Sequence, residues 1–295
     1  MMPKYKSFTL FIVLSFLLPL FSSAQKNKFS IEVGPEYRNE DFRWSIAGNM
    51  QGQNPNILSE LIFKPVKSAG FFANGGFNIR RKFSINGYYN KLWTYDGEVT
   101  DFDYDGDNRT LPSTQLYLQS NKGSARSVGG RFNYHFFKTA DFDISVGAGY
   151  DFTKQLYYLT NDNDPLLNST YETKWKGPNL SLNGLYMYQF FSIGTGITSR
   201  YLMYDAKANW NLIESFQHPV SFVHDAKGYG IDYRLSLGVQ PANFIKLNLQ
   251  GLYSNWKTEY GVDKLYQADG AVIKARMNGA FRKNIGIRFT TTFLF

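Results

Sequence analysis

Apolar and polar residues alternate with a period of two along much of the chain, the spacing of a strand that offers one face to each of two environments. In one segment Phe83, Ile85, Gly87, Tyr89 and Trp93 share a face, opposite Ser84, Asn86, Tyr88 and Asn90. Another puts Phe142, Ile144, Val146, Ala148, Tyr150 and Phe152 together, and the chain closes on Ile285, Ile287, Phe289, Phe293 and Phe295. From Phe29 onward the pattern predicts about ten such strands. Tight connections fall near Arg80–Lys82, Phe137–Asp141, Gln189–Phe191 and Gln240–Asn243. Longer polar connections fall near residues 50–57, 96–112, 161–170, 213–219 and 261–269.

Short turns on one side, long loops on the other and an apolar outer face are the marks of an all-β transmembrane antiparallel barrel. Lipid offers backbone groups no hydrogen bonds, so a strand-built membrane protein must close its sheet. The expected setting is the bacterial outer membrane, with loops extracellular and both termini periplasmic. Several alternating runs, such as residues 83–100, outlast the roughly 9–11 residues that a tilted strand needs to cross a bilayer, so some strands should project beyond it. Trp93, Tyr95, Tyr150, Tyr188, Tyr201, Tyr233 and Tyr253 fall where interfacial aromatic girdles are expected.

The first residues fit export. Lys4 and Lys6 precede an apolar run from Phe8 to Phe21, and Ser22, Ser23 and Ala24 supply a small-residue cleavage site. We therefore expect a signal peptide over residues 1–24 and a single barrel domain over 25–295. There is no cysteine, which excludes disulfides, thiolate metal sites and lipid attachment at a mature cysteine. Mean hydropathy is −0.35, as expected where only every second residue meets lipid.

The 32 Lys+Arg and 24 Asp+Glu lose only Lys4 and Lys6 with residues 1–24, leaving a net charge of +6. These cations are scattered over alternating segments, which suits anionic outer-membrane lipid and lipopolysaccharide and excludes nucleic acid as a partner. Arg131, Asp143, Asp151, Arg200, Asp232, Arg234, Lys246, Arg282 and Arg288 take inward positions. Mixed charges of this kind fill a narrow lumen with ion pairs and water more readily than they line a wide pore.

The densest polar chemistry lies at Asp101, Asp103, Asp105 and Asp107, with Gly106 among them. Carboxylates this close bind a cation, share protons or stand fully solvated. The spacing matches the start of a D-x-D-x-D-G calcium loop, so Ca²⁺ is one candidate ligand of all four. The twelfth position is Pro112, however, and the bidentate glutamate is missing.

The run SELIFKPVKSAGFFANGGFNIRRKFSINGYYNKLWTYDGEVTDFDYDGD resembles the second and third strands and following loop of the omptins, ten-stranded outer-membrane proteases. The likeness continues more diffusely to Phe295. The terminal Phe resembles the signal read by the outer-membrane insertion machinery. The omptin resemblance implies an acidic groove at the extracellular mouth, extracellular peptides as substrates, a dependence on lipopolysaccharide, and catalytic roles for Asp101 and Asp103. It also implies an Asp-x-His pair across the mouth, where the imidazole acts as general base. The aligned positions here are Asn209 and Asn211, which supply neither acid nor imidazole. Whether the chain is an enzyme therefore stays open, with peptidase activity altered or lost.

Of the three histidines, His218 and His224 lie near the mouth and are candidate substitute bases. His135 falls at an inward position beside a short turn and is expected to pack in the lumen. The alternative is a small non-enzymatic barrel: an adhesin, a ligand-binding or structural protein, or a narrow passive channel.

Overall fold

A computed structural model describes residues 28–80 and 82–295; the expected signal peptide lies outside them. The strands are β1 (Phe29–Ile46), β2 (Ser59–Arg80), β3 (Phe83–Gly106), β4 (Thr110–Gln119), β5 (Gly123–Lys138), β6 (Phe142–Asn161), β7 (Asp164–Tyr188), β8 (Phe191–Asn209), β9 (Phe222–Ala242), β10 (Ile245–Thr258), β11 (Gly261–Tyr266) and β12 (Val272–Leu294). All pairings are antiparallel, and β12 returns to β1 in a register running from Ser30 opposite Leu294 to Ile46 opposite Met277. Closure leaves the main ladder without an open edge.

Ten staves make the ring. Segments β4 and β5 both pair with β3 and together form one stave, while β10 and β11 fill one place between β9 and β12. Three of the expected long loops are largely strand: β3 continues to Gly106, β7 starts at Asp164, and β11 occupies residues 261–266. These extensions stand in water, where the outer face no longer needs to be apolar, so the alternation that marks a membrane strand fades there.

The strands invert partway along their length. On β8 the outward residues near the short turns are Phe191, Ile193, Ile197 and Tyr201, all exposed, whereas Asp205 and Lys207 point outward nearer the loops. The inward set changes in the opposite sense, from Gly194, Gly196, Thr198 and Arg200 to Leu202, Tyr204, Ala206 and Ala208. On β7 Leu180, Leu182, Tyr186 and Tyr188 are the exposed apolar face, and the same face carries Glu172, Lys174 and Lys176 further along. A belt of exposed Phe, Ile and Leu thus surrounds the turn-end half, which is the surface a bilayer covers. Tyr37 against Tyr95 and Tyr201 against Tyr229 mark its upper margin, with ring centroids 6.5 and 6.2 Å apart.

Above that margin the lumen is a packed hydrophobic core. Phe42, Leu61, Phe63, Leu92, Leu159, Tyr171, Trp175, Tyr204 and Met277 are each less than 2% exposed. Phe42 stacks on Tyr157 at 5.2 Å, and Trp175 meets Tyr204 at 4.3 Å. Below it the lumen is ionic: Glu36 takes Arg38 at 2.6 Å and Arg288 at 2.8 Å, Arg282 pairs with Glu40, and Arg200 bridges Asp151 and Asp232. Arg282 also lies over the Trp256 ring at 4.3 Å, joining the two layers. Gly230 makes room for that indole, since a Cβ there would sit 2.5 Å from it.

Candidate functional site

At the loop end, Val99, Asp101 and Asp103 share the inward face of β3, and Asp101 stands opposite the buried Leu61 of β2. Asp101 is only 8% exposed. Its carboxylate accepts a hydrogen bond from the side chain of Trp210, which reaches in from the segment after β8. The Trp210 backbone N–H is held by Ser221 Oγ at 2.9 Å, and its ring meets Phe222 edge-on at 4.8 Å, which anchors the indole beside the carboxylate. Burial pushes the Asp101 carboxyl up to about 7, with the charge of Asp103 adding to the rise and the Trp210 bond opposing it.

The other two carboxylates of the tip diverge from this pair. Asp105 is exposed, and Asp107 Oδ1 accepts the backbone N–H of Asn56 at 2.7 Å, while the Asn56 and Asn108 side chains meet at 2.9 Å. These bonds tie the β1–β2 loop to the β3–β4 tip. Among the described residues no three acidic or imidazole side chains converge as a metal site would require. On the outer wall, Arg109 grips Glu60 through Nε and a terminal nitrogen, both at 2.8 Å, and Tyr104 donates to the same carboxylate at 2.9 Å. Burial alone would raise Glu60, but the Arg109 and Tyr104 bonds win and hold it below the usual carboxylate range.

The histidines occupy different settings. His218 is exposed, with Nδ1 2.8 Å from Asn209 Oδ1 and Nε2 3.2 Å from the Ile213 carbonyl, so both ring nitrogens face its own loop and the end of β8. Asn211 accepts from the Asn168 backbone N–H at 2.9 Å and the Ser169 hydroxyl at 3.0 Å, and donates to the Leu166 carbonyl at 2.8 Å. The two asparagines aligned with the omptin Asp-x-His therefore pin a loop to its neighbouring strands.

His224 points into the core from β9, with a side chain that is 0% exposed. Its Nδ1 lies 2.7 Å from the Tyr171 hydroxyl, which in turn lies 2.7 Å from that of Tyr204. Its Nε2 stands 3.1 Å from Asp263 Oδ1, directly across the β9–β11 ladder. The Trp44 ring packs edge-on at 4.7 Å. Burial raises both tyrosine hydroxyls well above their usual range, which keeps them neutral hydrogen-bonding groups. The rings of Trp210 and Phe222 stand between Asp101 and this imidazole: Asp101 bonds Trp210, Trp210 packs on Phe222, and Phe222 packs on His224 at 5.3 Å.

Sequence reasoning missed Trp210, Tyr171 and Asp263. The segment holding Asp263 reads as a loop, so nothing in its pattern assigns the carboxylate to a face. Sequence reasoning also passed over Glu36, Arg38 and Glu40, although their alternation with Val33, Pro35 and Tyr37 along β1 is the signal that could have found them. At the short-turn end, His135 joins Ser84 and Asp143 in the lumen.

The barrel is similar to the outer membrane protease OmpT of Escherichia coli, with a TM-score of 0.76 over 94% of this chain and 99% of that one. Sequence identity is 11%, so the likeness is one of fold, and the fold is omptin-like. Weaker likenesses reach the translocator domain of the autotransporter NalP from Neisseria meningitidis (TM-score 0.42, 8% identity, 97% and 94% of the two chains). OprG from Pseudomonas aeruginosa gives 0.36 at 11% identity, over 90% and 96%. No curated protein matches in sequence. Residues 30–295 match the family described as Pom, Protochlamydia outer membrane protein, which places the barrel in the bacterial outer membrane: the chain belongs to that family.

Proposed function

We propose that this protein is a surface barrel whose extracellular half is a sealed, loop-presenting platform, related in fold to surface endopeptidases but without omptin-type peptide cleavage. The observation that carries the reading is the burial of the mouth chemistry: Asp101 is buried beside Trp210, and His224 has no exposed side-chain surface. A water to be activated needs a base within hydrogen-bond reach and room for the scissile bond beside it. The His224 ring is instead enclosed by Tyr171, Asp263, Trp44 and Phe222. The same aromatic core argues against a passive channel, because Trp, Tyr and Phe side chains from opposite walls meet across the lumen.

In this reading the loops face outward, the termini and short turns lie in the periplasm, and lipid covers the apolar belt. Purified protein reconstituted with lipopolysaccharide should leave peptides with paired basic residues intact and show no stable conductance in planar bilayers. Cleavage of such peptides that Asp103→Asn abolishes would overturn the reading, and so would steady ion flow through the intact barrel.

A further inference from the structure

The short-turn end of the lumen holds a second constellation, remote from the mouth. Ser84 on β3, His135 on β5 and Asp143 on β6 come from three neighbouring staves and meet at one level of the barrel. Ser84 Oγ lies 2.9 Å from His135 Nε2, and His135 Nδ1 lies 2.6 Å from Asp143 Oδ1. A register shift between His135 and Phe137 places Asp143 opposite Lys138, whose ammonium holds the second carboxylate oxygen at 2.9 Å. The hydrogen-bond logic is directional. A carboxylate on Nδ1 selects the tautomer protonated there, which turns the lone pair of Nε2 toward the serine hydroxyl. Lumen packing alone asks only that polar groups be satisfied, in any order. Here the order runs from hydroxyl to base to orienting acid.

The surroundings supply the rest of a hydrolytic site. Asn133 Nδ2 donates to Asn86 Oδ1 at 2.9 Å and leans on Ser84 Oγ at 3.3 Å; the weaker contact is the one free to turn toward an oxygen that becomes charged beside the serine. The three side chains are half-buried, with His135 and Asp143 each 14% exposed, so the group is accessible from the lumen. Asn86 also lines a cavity of about 190 Å³ above the serine, into which Arg131 and Arg234 project. Those two guanidiniums bond the amide oxygens of Asn179 and Asn183, at 3.1 and 3.2 Å, and among the described residues neither has a carboxylate at ion-pair distance. The cavity has room for a small group; Glu32 and Asp232 also line it and attract Arg234 and Arg131 at longer range, but six arginines face those two carboxylates, and that excess favours a negative group.

We propose that Ser84 is a nucleophile for short-chain carboxylic esters that carry an anionic group, entering from the short-turn end. Ser84 Oγ bonds to the ester carbonyl carbon as its proton passes to His135 Nε2. The C–O bond to the alcohol then breaks, and the proton on His135 leaves with the alcohol. Water attacks the acyl-serine, gives its proton through His135 to Ser84 Oγ, and releases the acid. Asp143 is a positioning residue for the imidazole, and Arg131 holds the anionic end.

The test is labelling of the folded, detergent-solubilised barrel with a fluorophosphonate probe, located by peptide mass mapping. The expected result is one adduct, on Ser84, absent from Ser84→Ala and from heat-unfolded protein. Labelling should be slower by about a hundredfold or more in His135→Gln, the scale of a lost general base. Wild-type protein should also hydrolyse the p-nitrophenyl monoester of succinate faster than p-nitrophenyl acetate, and Arg131→Gln should erase that preference. Gel mobility before and after heating shows whether each variant is folded; if His135→Gln is not, the folded and unfolded wild-type samples still decide. An unlabelled folded barrel, an adduct elsewhere, or Ser84 labelling that survives loss of the imidazole in a folded variant would each overturn the proposal.

Discussion

The two halves of the barrel solve opposite problems with the same strands. In the turn-end half the outside is apolar and the lumen is ionic; in the loop-end half the outside is charged and the lumen is packed with Trp, Tyr, Phe and Leu. A single strand such as β8 makes the exchange between Arg200 and Leu202 with its ladder to β9 unbroken, while the ladder to β7 skips Tyr201 and Leu202 and resumes in the same register. The lesson is about solvent. Where lipid wets the outer wall, burying an apolar side chain in the lumen gains little over leaving it outside. Where water wets both, the hydrophobic effect fills the interior as it does in a soluble protein.

The largest expected effect comes from removing the centre of the loop-end core. Trp175→Ala should cost about 3–5 kcal/mol, measured by urea unfolding in detergent or liposomes, because a buried indole leaves a cavity between opposite walls. A near-neutral result would show that this half is not the stabilising core.

A sharper contrast uses one strand. Leu182→Arg, on the lipid belt of β7, should cost about 2–4 kcal/mol if it lies near mid-bilayer. Lys174→Arg, on the same face of the water-exposed extension, should stay within about 0.5 kcal/mol. Equal costs would erase the boundary that the inversion draws.

The buried carboxyl at the rim adds a pH dependence peculiar to the loop-end half. Asp101 is raised to about 7 when folded, above its unfolded value, so the stability linked to its proton is fully present below about pH 4 and is lost as pH rises toward 7. The loss should be on the order of 1–2 kcal/mol, since relaxation near the water-facing rim trims the full value of such a shift. Asp101→Asn keeps an acceptor for Trp210 and should flatten the difference in unfolding midpoint between pH 4.5 and pH 8. An unchanged slope would mean that the carboxylate ionises freely.

The smallest effect belongs to the outer wall. Arg109→Ala removes a half-exposed guanidinium from Glu60 and should cost about 1 kcal/mol or less, diminishing further in high salt. A larger loss would assign the β3–β4 tip to the core rather than to its rim.

Barrel closure, the strand count and the lipid belt were legible in the residues. Alternation such as Phe142, Ile144, Val146 and Ala148 has only one stable arrangement in a membrane, and the short turns set its phase. The inward charges Asp151, Arg200, Asp232, Arg282 and Arg288 were legible for the same reason. What the tertiary structure decided lies beyond the bilayer. Water on the outer face removes the apolar signal there, so β11 and the upper parts of β3 and β7 read as loops. The partners of each polar group are equally invisible along the chain. Asp101 and Trp210, or His224 and Asp263, are joined by strand register and loop path, which depend on contacts between residues tens to more than a hundred positions apart. A period of two assigns a residue to a face; only the closed ring says which side chain meets it across the lumen.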